Sequence, residues 1–137
     1  MEKKDIALIQ LETACKLYSK GNFVCAITLA GASEEIFGKI AKERTGINQI
    51  EDELNYLKNS YKSSNKEVPN DKELISRINK GKNSLKHNNS GVNKWIDIDF
   101  ESEAVFLIVK AVKNYFRSYN KMPDSKIIND IFDHLTL

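Results

Sequence analysis

Six times along this chain of 137 residues, apolar side chains recur every three or four positions and then stop at a short polar break. That period belongs to amphipathic helices, and no stretch alternates as a strand does. Ala7, Leu8, Leu11, Ala14, Cys15 and Tyr18 predict a helix over about 5–19, stopped by Lys20-Gly21-Asn22, with Asn22 as the next N-cap. Phe23, Ala26, Ile27, Ala30, Phe37 and Ala41 predict a second over about 23–44, with Gly46 just past its end. A third, over about 49–62, carries Ile50, Leu54, Leu57 and Tyr61, and Asn48 with Glu51 resembles a capping box. After the polar stretch SSNKEVPN, Asn70 with Glu73 looks like another capped start. Leu74, Ile75, Ile78 and Leu85 then predict a fourth helix over about 71–87. Residues 92–99, with the single tryptophan Trp95, read as irregular. The fifth helix, about 100–120, is apolar nearly all round between Ala104 and Val109 and is expected at the centre of the core. Pro123 suits the first turn of a sixth helix, which carries Ile127, Ile128, Ile131, Phe132 and Leu135.

Short links favour antiparallel neighbours, so the expected fold is all-α: an up-and-down bundle of five to six helices in one domain over residues 1–137. A chain of this length buries roughly two thirds of the surface it exposes unfolded, so no staples are needed. No apolar run approaches the ~20 residues that cross a bilayer. The N-terminal MEKKDIALIQLE lacks an apolar h-region and a small-residue cleavage site. A cytoplasmic protein without membrane association is therefore expected. Cys15 and Cys25 both fall in apolar helical segments and are expected as buried free thiols. A net charge of +2, from 21 basic and 19 acidic residues, argues against a protein that coats nucleic acid but leaves room for a local basic patch.

Two places resist a purely structural reading. In Ala30-Gly31-Ala32-Ser33-Glu34-Glu35, Glu34 falls on the apolar stripe itself. A carboxylate there is expensive unless it reaches solvent at the stripe's edge or is held by a cation or a hydrogen-bond network. Gly31 and Gly38 each cost about 1 kcal/mol of helix propensity relative to Ala, which fits close approach of another helix. That helix can belong to the same chain or to a second copy. Further on, Asn79, Asn83, Lys86 and His87 share one arc at about 100° per residue, away from Ile78 and Leu85. Such a face can bind an anion, and an imidazole there exchanges protons near neutral pH. It can equally be a solvated face with cations favoured by the helix C-terminus.

Other chemistries have little support. His134 is the only other histidine, so a multi-histidine metal site is not expected, nor is a cofactor. GxGxxG, GxxxxGK[ST] and GxSxG are all absent.

Lys82-Asn83-Ser84-Leu85-Lys86-His87 resembles the R-x(4–6)-H signature of the HEPN superfamily, with Lys82 in place of Arg. Ala30-Gly31-Ala32-Ser33-Glu34-Glu35, the segment Asn83 to His87 and the run IDIDFESEAVFLIVKAVKNY are similar to segments of uncharacterised bacterial proteins with AGAxEE and NxxKH motifs. The resemblance implies an all-α bundle that often dimerises. Many members are metal-independent endoribonucleases, toxin- or defence-like, in which the His acts on the RNA 2′-hydroxyl or leaving group. Others lack the motif and serve as interaction domains. Carried to this chain, it implies His87 as acid/base, Lys82 and Lys86 on phosphate, Asn83 positioning, and Glu34 or Glu35 orienting the cations. Lys82 keeps the charge but not the planar fork of Arg. Lys82 and His87 also diverge by about 140° on an unbroken helix. Two readings stand: an interaction domain with a polar cleft for RNA, a nucleotide or a partner protein, and a His87-dependent endoribonuclease. A homodimer is expected in either.

Overall fold

The link Lys20–Asn22 is too short to do anything but turn the chain back, and in the computed structural model it joins the first two of the six helices given by the described residues. The structure describes residues 1–46, 49–80, 95 and 97–137, with the side chains of 49, 50 and 56 left aside. The helices are α1 (Lys3–Ser19), α2 (Phe23–Thr45), α3 (Gln49–Ser63), α4 (Asp71–Ile78), α5 (Phe100–Tyr119) and α6 (Lys126–Thr136), with no strand among the described residues. The protein is an all-α helical bundle.

Local chemistry places most boundaries. Asn22 Oδ1 accepts the Cys25 N–H at 3.3 Å and Asn70 Oδ1 accepts the Glu73 N–H at 2.8 Å, so both expected N-caps form. Asp99 caps α5 by accepting from the Ser102 N–H and hydroxyl, and these bonds hold its carboxyl below the usual range. Gly46 closes α2 at φ 81°, a backbone that costs glycine nothing. Asn48, expected in a capping box, lies outside the described residues.

Three expectations need correction. The fourth helix ends at Ile78 rather than 87: Asn79 leaves the helical conformation and its N–H closes the last turn on the Ile75 carbonyl. Asn79 is a poor helix former, and residues 81–87 of the expected helix lie outside the described residues. Pro123 precedes α6 instead of starting it. Its carbonyl accepts from the Ser125 N–H and the Asn129 side chain, and Ser125 caps the helix. Cys25 is exposed at the start of α2, one position off the stripe, while Cys15 is buried as expected.

The core is built on α1, α2 and α5. Ala7, Leu11, Ala14 and Cys15 meet Ala26, Ile27, Ala30 and Phe37, and both meet Ala104, Leu107, Ile108, Ala111, Val112 and Tyr115. Burying a large apolar side chain contributes about 1.5–3 kcal/mol, and the many alanines let these helices approach closely. Phe37 and Tyr115 meet edge to face at 5.3 Å. Ile128 brings α6 onto the same core. The Ser33 hydroxyl donates to the Ala7 carbonyl at 2.9 Å, which sets α1 and α2 antiparallel. Arg44, at the end of α2, donates to the Ser118 carbonyl near the end of α5 at 2.8 Å. Lys4, at the start of α1, shares the Tyr119 ring with Arg44. At the other end, Tyr18 of α1 feels Glu101 of α5, which together with burial raises its phenol pKa. The most extensive interface, α2 on α5, is therefore parallel. It joins helices far apart in sequence, and α5 is central as its apolar girth predicts.

Candidate functional site

Glu34 is 1% exposed within the single chain, beside the fully buried Ser33. Of the two sequence readings, burial holds and the solvent-reaching edge does not. Glu35 is half-buried on the next position. Neither carboxylate is free of partners. Gly31 and Gly38 flank Glu34 by one turn and are buried too, so the small-residue face of α2 is used within the chain. Lys82, Asn83, Lys86 and His87 lie outside the described residues. Of the arc that Asn79 shares with Asn83, Lys86 and His87, only Asn79 is described. It is 8% exposed, and its Oδ1 has no hydrogen-bond partner.

The sequence reading missed the most unusual side chain of the interior. Lys110 of α5 is 1% exposed. Its ammonium lies 3.4 Å from Glu53 Oε2 of α3 and 4.6 Å from the centre of the Phe106 ring, without a hydrogen bond. A buried cation survives only beside compensating charge. Glu103 supplies more of it from two turns back: burial raises its carboxyl above the usual range, and Lys110 and Lys80 pull it back down. Asn114, one turn beyond Lys110, is fully buried, and its carbonyl accepts the Ser118 hydroxyl at 2.8 Å. The signal was present in the sequence. Glu103, Lys110 and Asn114 stand at helical spacing on one arc of α5.

The parallel register of α2 and α5, set by Arg44 on Ser118 and Phe37 on Tyr115, brings Glu34 level with the turn of α5 that carries Ile108, Lys110 and Val112. Lys80 acts on Glu103, so the end of α4 reaches the same layer. α2 and α5 thus bury Glu34, Lys110 and Asn114, and α3 brings Glu53 to Lys110. Lys80 is the last described residue before the segment that carries the Lys82–His87 motif. No cluster of three or more metal-ligating side chains occurs among the described residues. His134 is exposed near the end of α6.

Elsewhere, Val112, Phe116, Met122 and Phe132 floor a groove of about 540 Å³, bordered by Lys113 and the Asp52–Arg117 ion pair. No described helix is long and apolar enough to cross a membrane. Comparison with family models, with curated proteins and with solved structures finds no match.

Proposed function

We propose that this protein is a HEPN-like interaction domain that binds RNA or a nucleotide through the polar face of Asn83, Lys86 and His87, with Lys82 as a further phosphate contact and with little or no cleavage. The observation that supports binding over catalysis is the burial of Glu34. A carboxylate committed to the interior of one chain orders cations from behind and does not meet a substrate. Lys82, standing where the nucleases carry Arg, offers phosphate a point charge without bidentate grip. Glu35, half-buried beside Glu34, is the acid this reading assigns to orienting Lys82 or Lys86.

The test combines RNA-binding anisotropy with incubation of a mixed RNA pool in chelator. Lys82→Ala and Lys86→Ala should weaken binding in a salt-dependent way, and RNA should survive the wild type intact. Cleavage that His87→Ala abolishes, with matched melting temperatures, would replace this reading with the metal-independent endoribonuclease. A large drop in melting temperature for His87→Ala would defeat both, because His87 would then be structural.

The domain is further proposed to act as a homodimer. With Gly31 and Gly38 buried in the chain, the association surface proposed is that around Phe116 of α5, which remains 47% exposed. Light scattering should give a dimer that Phe116→Glu splits, and a monomeric wild type at micromolar concentration would end the idea.

A further inference from the structure

α3 opens with three consecutive acids, Glu51, Asp52 and Glu53. Each reaches a base on another helix: Glu51 to Lys42 of α2 at 2.9 Å, Asp52 to Arg117 of α5, and Glu53 to Lys110 of α5 at 3.4 Å. Acids in a first turn are favoured by the helix dipole, so the anchor sits where α3 tolerates it best. α4 is tied to α3 instead. Asp71 pairs with Lys58 at 2.6 Å, and Arg77 donates to the Tyr61 hydroxyl. Leu74 and Ile78 are buried but stand outside the main core cluster. The left-handed Gly46 precedes the hairpin, and residues 79–99 separate it from α5.

We propose that the α3–α4 hairpin is an ionic clasp: an arm that opens reversibly as salt rises, while α1, α2, α5 and α6 stay folded, and that uncovers Lys110 when it opens. Two of the three anchoring pairs lie within reach of solvent, with side chains 29–62% exposed, whereas Lys110 is sheltered. Mobile ions shorten the screening length from about 10 Å at 0.1 M salt to about 3 Å at 1 M. Exposed pairs are individually weak, so losing two of them shifts opening by roughly three- to tenfold.

Hydrogen–deuterium exchange of the full chain at 0.1 and 1 M sodium chloride tests this. Amides of α3 and α4 should exchange roughly three- to tenfold faster at high salt, with interior amides of α2 and α5 unchanged. Acylation of Lys110 by a water-soluble activated ester, read by peptide mass spectrometry, should rise in step. Glu51→Gln with Asp52→Asn should give the high-salt exchange at low salt, and Asp52→Arg with Arg117→Asp should restore protection. Exchange of α3 indifferent to salt in the wild type, or α3 and α5 responding together, overturns the clasp. If the neutralised variant fails to fold, the wild-type salt series decides alone.

Discussion

The bundle of α1, α2, α5 and α6 and the hairpin of α3 and α4 are both made of amphipathic helices, yet different forces hold them. In the bundle, alanines and large apolar side chains close on one another, and the buried Ser33 hydroxyl donates to the Ala7 carbonyl. In the hairpin, the acids of α3 reach outward to bases on α2 and α5, and α4 is tied to α3 through Asp71 on Lys58 and Arg77 on Tyr61. Apolar burial is indifferent to salt screening, whereas exposed ion pairs weaken as salt rises. One chain thus contains a salt-tolerant body and a salt-sensitive appendage. Lys110, buried in the first and paired with the second, is where they meet.

The sharpest way to break the comparison is to cut each region at its best-buried side chain. Phe37→Ala removes a ring that meets Tyr115 edge to face and should cost about 4 kcal/mol of global stability in urea unfolding. Leu74→Ala removes a side chain buried just as fully, but its effect should stay in the hairpin. Exchange should quicken in α3 and α4 and stay unchanged in α2 and α5.

Next in size is Lys110→Met, expected to cost about 3 kcal/mol because it leaves buried acid without its cation. Its pH dependence has a defined sign. Glu103, already raised above its usual value of 4.5 by burial, rises further once Lys110 no longer lowers it. A carboxyl whose folded pKa exceeds its unfolded one costs stability at neutral pH. That cost fades as pH falls through the folded value, because the folded state then takes up the proton. The deficit of Lys110→Met should therefore be smaller at mildly acidic than at neutral pH in thermal unfolding.

A smaller effect sets the same substitution in both regions. Asn22→Ala and Asn70→Ala each delete an N-cap and should each cost about 1 kcal/mol of helix stability. The first should lower the global melting temperature, and the second should appear chiefly as faster exchange in α4. Smallest of all is a labelling difference without loss of stability. Burial, aided by Glu12, pushes the Cys15 thiol up to about 12, and Cys25 is exposed. Iodoacetamide should modify Cys25 in the native protein and Cys15 only on global unfolding.

The expectations that held were those decided within a turn or two of chain. Asn22 and Asn70 cap because a side-chain oxygen needs only the N–H three residues on. The stripes of α1, α2 and α5 form the core because a period of 3.6 gathers them on one face whatever covers it. The candidate site was legible only in part. Glu34 stood out because a carboxylate broke an apolar stripe. Lys110 escaped because it sits at the end of an apolar run, where a long side chain reaches solvent as readily as it stays inside.

By itself, then, the sequence determined six helices, most of their ends and the residues that make the core, because propensity, capping and periodicity act between near neighbours. Only the tertiary structure decided that α2 packs parallel to α5, that Gly31 and Gly38 are covered within the chain, and that Glu34 and Lys110 are buried at one level. It also decided that the acids of α3 fasten a separate hairpin. The reason is physical. Whether a charge is buried depends on which distant helix lies over it, and that is set by the packing of whole faces, which no local window of sequence contains.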